Sequence, residues 1–369
     1  MQLLEVIEKL ISFETVAGHL PIIEKCLQYV REVLEPSGAL VDICYDEKES
    51  PVIFARNVET DHFDVLVLGH LDVVPADEKM FSPVLKNGLL YGRGALDMKS
   101  FAAVAMKSME MVQEEKLPIK FGFILSTDEE VGSKSLEAFL KKRPDLKADI
   151  VIDNDVGGDI TKIVARCKNP VFVRLKAKGV AAHGSTPWYG QDANEALIKT
   201  WQNIRQFYKA FDLKTGKPQN TWIDTAHLAT ISGGKVSNVI SDEATALIDF
   251  RLTETSSVED LKKRLEGLME DGVSFDVEMQ SIAVVTDEKN EVVLSYKKTA
   301  EEVIGQNIEF EYIGGATDSR AFYERGATLI MHSGTGDGMH APGEYVVFQT
   351  VEQVAEIQAR FLRKLAGQK

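Results

Sequence analysis

Hydrophobic positions along this chain follow two different rules, and the change from one to the other divides it. "VLVLGH" (65–70), "FGFILST" (121–127) and "ADIVID" (148–153) are short, nearly unbroken apolar runs, as expected of strands buried on both faces. Between the first two, "DMKSFAAVAMKSMEMVQEE" has helical spacing with Asp97 near its start. Strands separated by helices predict a mostly parallel sheet between helix layers. Near Pro170 the rule changes. "VFVRLKAKG" alternates as a half-exposed strand, and "DANEALIKTWQNIRQFYKAF" (192–211) reads as a long helix. "AHLATIS" and "EATALIDFRL" are further strands, "SVEDLKKRLEGLMED" a serine-capped helix and "VSFDVEMQ" a last strand. The order β-α-β-β-α-β predicts an inserted ferredoxin-like α+β unit over 170–285. Residues 1–169 and 286–369 then form one α/β domain, completed by a helix in "NEVVLSYKKTAEEVIG", a strand in "ATLIMHS" and a closing helix in "TVEQVAEIQARFLRKL".

Length and charge narrow the function. A chain of 369 residues, 44% hydrophobic, can bury a sizeable core, and a formal net charge of −15 argues against a nucleic-acid or anionic-membrane binder. Cys26, Cys44 and Cys167 lack CxxC spacing, which predicts a reducing, cytoplasmic setting. The opening "MQLLEVIEKLISF" reads as an amphipathic helix, without the basic start and apolar block of a signal peptide. No apolar run is long enough to span a bilayer.

The chemistry collects at predicted strand ends and loops. "VLVLGHLDVVP" runs from a buried strand into His70 and Asp72, which share a face if the chain stays extended. The carboxylate would then hold one ring nitrogen and free the other, as metal-ligating histidines require. "YGRGALDMKS" places Asp97, "STDEEVGS" Asp128, Glu129 and Glu130, "VIDNDVGG" Asp153 and Asp155, and "GMHAPGEYV" His340. Each has a plainer role alone: a helix cap, a solvated acidic turn, a turn before glycines, a loop histidine. Together, two histidines and several carboxylates without a thiolate are the donor set of a hard-to-borderline divalent pair such as zinc, cobalt or manganese. Two such ions roughly 3.5–4 Å apart need a bridging carboxylate, a role for which Asp97 is placed. One acid must also stay off the ions to take a proton from water, and the Glu129-Glu130 doublet supplies both kinds.

"GHLDVVP", "GRGALDMKS", "STDEEVGS", "AAHGSTP" and "HAPGEYV", in this order, resemble the dinuclear zinc amidohydrolase family that contains acetylornithine deacetylase, succinyl-diaminopimelate desuccinylase, aminoacylase, carnosinase-type dipeptidases and glutamate carboxypeptidase. The resemblance spans nearly the whole chain. It implies His70 and His340 as ligands of different ions, Asp97 as the bridge, Glu130 and Asp155 (rather than Asp153) as the remaining ligands, and Glu129 as general base. Asp72 would orient His70. His183 of the insert would steady the oxyanion. Asn238, Arg251, Gly315, Thr317 and Asp318, with Arg320 beside them, would line the substrate pocket. The chain departs from the pattern at "CKNP", where relatives often have a basic residue and a glycine at the lid entrance.

The expected activity is hydrolysis of an amide in a small N-acyl amino acid or short peptide with a free carboxylate, through a water activated between two ions. A lid formed by the insert, dimerisation through it, and no nucleic-acid or membrane partner complete the expectation. A dipeptidase or carboxypeptidase, a silent metal-dependent binding protein and a one-metal aminopeptidase are the competing expectations.

Overall fold

A computed structural model describes residues 1–45, 50–208 and 221–368. The chain divides into two compact units, Met1–Ala165 with Thr286–Glu311 and Thr317–Lys369, and Arg166–Val285 with Tyr312–Ala316. The first break falls after Ala165 rather than after residue 169, and a short later segment joins the second unit.

The first unit begins with helices α1 (Leu3–Ile11) and α2 (Leu20–Leu34) and strands β1 (Leu40–Tyr45), β2 (Pro51–Arg56) and β3 (His62–His70). Short strands β4 (Val84–Lys86) and β5 (Leu89–Tyr91), helix α3 (Lys99–Glu114), β6 (Phe121–Ser126), helix α4 (Lys134–Lys142), β7 (Lys147–Asp153) and β8 (Lys162–Cys167) follow. The insert holds β9 (Asn169–Lys178), α5 (Ala193–Phe207), β10 (Thr225–Gly233), β11 (Glu243–Leu252), α6 (Val258–Glu266), β12 (Val273–Gln280) and β13 (Val284–Val285). The chain ends through α7 (Glu291–Ile304), β14 (Glu309–Ile313), α8 (Arg320–Tyr323), β15 (Thr328–Met331), β16 (Gly336–Asp337), β17 (Tyr345–Val347) and α9 (Phe348–Ala366).

The main sheet runs β1-β2-β6-β3-β7-β15-β8. Its centre, β6-β3-β7-β15, is parallel, and antiparallel pairs extend it at both ends. Every residue of β2 and β6 is buried, which explains why β6 reads as an apolar run without alternation. Helix α3 is apolar around most of its circumference because it packs on α1, α9 and the sheet together. In the parallel register His70 pairs with Ser126, and Leu68 with Asp153, so three strands deliver their carboxyl ends to one edge. Ligand sites in such sheets form there.

The second unit is an antiparallel sheet, β10-β11-β9-β12, with α5 and α6 packed on one face. Val171, Val173, Leu175 and Ala177 of β9 point into that core, while Arg174 and Lys176 pair outward with Glu278 and Asp276 of β12. Asp192 caps α5, and Ser257 with Asp260 forms a capping box on α6. The long helix expected to reach Phe211 ends at Phe207, and residues 209–211 lie outside the described residues.

A smaller sheet, β16-β17-β5-β4, has no counterpart in the expectations from sequence. Its pairing of Tyr345 with Tyr91 and Val347 with Leu89 brings the loop after β5 and the loop before β17 side by side. Those loops carry Asp97 and His340. Among the described residues, no helix is long and apolar enough to cross a membrane.

Candidate metal centre

His70 ends β3 and is fully buried. The strand ends there, and Asp72 follows two residues on. The backbone carbonyl of Asp72, rather than its carboxylate, accepts from His70 Nδ1 at 3.0 Å, and the nearer carboxylate oxygen is 3.5 Å away. A carbonyl can only accept, which puts a proton on Nδ1 and aims Nε2 at Asp97 Oδ1, 3.0 Å away. The Asp72 carboxylate is used elsewhere. Its two oxygens accept the backbone N–H groups of Glu129 and Glu130, each at 3.1 Å, and so hold the turn after β6. The segment from Leu71 to Val73 is itself braced, because Thr15 Oγ1 donates to the Leu71 carbonyl at 2.5 Å and the Val73 N–H donates to the Thr15 carbonyl.

Asp97 is the meeting point. Its Oδ1 faces His70, and its Oδ2 lies 2.9 Å from His340 Nε2. His340 Nε2 is also 3.0 Å from Glu130 Oε2, and His70 Nε2 is 3.7 Å from Asp155 Oδ2. Two donor groups result, His70–Asp97–Asp155 and Asp97–Glu130–His340, joined through one carboxylate. Asp153 turns away from them. Its Oδ1 accepts the Asp155 N–H at 2.8 Å, and its Oδ2 accepts from the hydroxyls of Thr317 and Ser319. Glu129 belongs to neither group.

Electrostatics mark the cluster as short of positive charge. Burial works against charge on His70, yet the surrounding carboxylates of Asp155, Asp72 and Asp97 raise its pKa well above the usual histidine range. The hydrogen bond to Asp97 takes His340 up to about 9. Burial would raise Asp97, but hydrogen bonds from both histidines hold it well below the usual carboxylate range. Burial lifts Glu129 to about 8, with Asp155 and Asp318 adding to it, and lifts Glu130 to about 7, with Asp97 adding. Protons are thus held where side-chain lone pairs converge in excess. A divalent cation would take their place, and the oxygen and imidazole donors present suit zinc, cobalt or manganese.

Glu344 is not among the residues singled out from the sequence, although it lies within "GMHAPGEYV". Fully buried, it accepts at Oε1 from the Leu96 and Asp97 N–H groups, at 2.9 and 3.1 Å. Its Oε2 accepts from Arg93 Nη1 at 2.6 Å and from the Gly94 N–H at 3.1 Å. The available signal was a glutamate four residues after His340, between Gly343 and an apolar pair.

Of the proposed substrate contacts, Thr317 is buried against Asp153, and Asp318 is a buried acid that burial raises above its ordinary pKa. Arg320 donates to the Thr317 carbonyl and sits 3.3 Å from Asp318. Gly315 belongs to the second unit, as do His183, Asn238 and Arg251. There the Gly184 N–H donates to the Asn238 carbonyl, so His183 and Asn238 are neighbours, both exposed. The Ser185 N–H donates to His183 Nδ1 at 3.2 Å, which leaves neutral His183 with its proton on Nε2. Arg251 is engaged by Asp249, two residues earlier on β11, through two hydrogen bonds of 2.8 and 3.0 Å.

The family model described as "Peptidase family M20/M25/M40" matches residues 66–364. A succinyl-diaminopimelate desuccinylase from Nitrosomonas eutropha is 27% identical over 329 residues, covering 82% of this chain and 83% of that protein. A tripeptidase from Staphylococcus aureus superposes with a TM-score of 0.81 at 19% identity, covering 99% of this chain and 98% of its own. A dinuclear metal-binding peptidase of the M20 family from Bacillus subtilis superposes with a TM-score of 0.71 at 12% identity, covering 99% and 98%.

Proposed function

The chain belongs to peptidase family M20/M25/M40 and is a hydrolase, and from that premise we propose that it cleaves an amide bond in a small N-acyl amino acid or short peptide with a free carboxylate. Two divalent ions, zinc foremost with cobalt or manganese as alternatives, would be held by His70 and Asp155 on one side and Glu130 and His340 on the other, with Asp97 available to both groups. One observation carries this proposal: each carboxylate oxygen of Asp97 faces a different histidine, and each histidine has its own second carboxylate.

When bound, the ions lower the pKa of a water and polarise the scissile carbonyl. The chain's own side chains do the rest. Glu129, outside both donor groups, accepts the proton of the attacking water and returns it to the departing amine. Asp72 holds Glu129 and Glu130 by their backbone and His70 through its carbonyl, so base and ligands share one support. His183 Nε2–H donates to the developing oxyanion. Asn238, Gly315, Thr317 and Asp318 line the substrate. Arg251 would have to leave Asp249 to bind a carboxylate. Association of two copies through the insert is supported by edge strand β10, whose outer residues, Ile231 among them, are exposed. The three free cysteines accord with a cytoplasmic, reducing setting.

The test is a panel of N-acetyl and N-succinyl amino acids and dipeptides offered to zinc- or cobalt-loaded protein. Hydrolysis of one class is expected, and Glu129→Ala should lower it by about 10²–10⁴-fold with both ions still bound. No turnover across the panel by the loaded wild type would overturn the proposal in favour of a binding role.

A further inference from the structure

We propose that Glu344 is a positioning residue that locks the loop bearing Asp97 to the loop bearing His340, so that the ion held by His340 and Glu130 depends on it more than the other. The inference rests on the two-ion reading above. All four acceptor contacts of this buried carboxylate go to residues 93–97: the guanidinium of Arg93 and the N–H groups of Gly94, Leu96 and Asp97. A charged acceptor with four donors is among the stronger contacts a buried site can make. Its own backbone sits four residues after His340, immediately before β17.

The surrounding chain is shaped to allow this. Gly94, at φ +84°, presents its N–H to the carboxylate from a conformation that L side chains rarely adopt. Gly338, at φ +77°, passes so close that a Cβ would lie 3.0 Å from Glu344 Cα. His340 itself holds φ +62°, which a non-glycine residue keeps only when its surroundings enforce it. The small sheet joins the same two loops further out, through Tyr91 and Tyr345. His70 and Asp155, by contrast, stand at or just beyond the ends of β3 and β7 and meet these two loops only through the shared Asp97, whereas His340 lies on one of them and faces Asp97 on the other.

The experiment is a cobalt(II) titration of the metal-free chain, followed by visible absorption and calorimetry. Glu344→Asp keeps the charge against Arg93 but withdraws the acceptor from Leu96 and Asp97; Glu344→Gln keeps the length but turns one acceptor into a donor. In both, the first equivalent, which meets the locked loops only through Asp97, should weaken less than the second, and equal weakening of the two would overturn the inference. The second should weaken by about tenfold or more, the scale for losing an outer partner of a ligand, with an altered absorption band. Thr286→Val, which removes a buried hydrogen bond elsewhere in the same unit, should lower the melting temperature without separating the two equivalents. If Glu344→Gln fails to fold, Glu344→Asp decides. A second equivalent of unchanged affinity and spectrum in Glu344→Asp overturns the inference. A wild type that never takes up two equivalents would instead overturn the two-ion reading.

Discussion

The two units treat their polar side chains in opposite ways. In the first, His70, Asp72, Asp97, Asp153 and Glu344 are all buried, and each is tied to partners far away in sequence. In the second, His183 and Asn238 are exposed and joined through a local backbone contact, and Arg251 answers to a residue two places before it. A ligand cage must be built before the ion arrives, because donors that shift on binding give up affinity. A group that meets a substrate can stay in water until the substrate comes. Under the proposed function, the buried, distantly tied residues of the first unit would hold the ions, and exposed residues such as His183 of the second would meet the substrate.

Three substitutions or conditions sharpen or break this division. The largest effect is expected from Asp97→Asn, which removes an acceptor that both donor groups share. Both cobalt equivalents should weaken by more than the roughly 10–100-fold that an outer partner costs, and calorimetry would show it. Loss of one equivalent alone would mean that Asp97 is not shared. Next comes His183→Ala, with an expected fall in kcat of about 10²–10³-fold while both equivalents and the melting temperature stay as in the wild type. Loss of an ion in that variant would break the division outright. The smallest effect is thermal. In the metal-free chain Glu130 is raised from 4.5 to about 7, Glu129 from 4.5 to about 8 and His340 from 6.5 to about 9. A raised pKa adds stability below its unfolded value and loses it as pH climbs through the folded one. Metal-free protein should thus melt lower as pH rises from about 5 to 9, by an amount on the order of 2–4 °C. Ion binding needs deprotonated ligands, so the stabilisation by added zinc should grow over the same range. A gap that shrinks with pH would count against the ion site.

Much of this was legible in the sequence, for reasons that differ by element. Strands β3, β6 and β7 announce themselves as unbroken apolar runs, and a parallel register then forces His70, Ser126 and Asp153 to one edge. The insert shows its order of elements because each strand is half exposed and alternates. The β1–β2 hairpin and the small sheet were missed: β5 and β17 have three residues each and β16 two, too few to display any period. Asp72 lies beside His70 with its backbone carbonyl nearer to Nδ1, at 3.0 Å, than its carboxylate, at 3.5 Å, a division of contacts that spacing alone does not display. Asp155 is preferred to Asp153 on the resemblance alone, and Asp153 stands at the end of β7 with Asp155 just beyond it. Only the positions of Thr317 and Ser319, more than 160 residues away, show which of the two is already occupied.

The brace from Thr15 to Leu71 and Val73 bears on how the protein can be handled. The stretch just after α1 is stitched, side chain and backbone, onto Leu71 and Val73, on either side of Asp72. Trimming the amino terminus beyond α1 would pull a seam out of the reaction centre itself, although those residues carry no chemistry of their own. The leading helix and its trailing segment are best left whole, together with the amino group of Met1, which donates to Glu110 Oε1 at 2.7 Å.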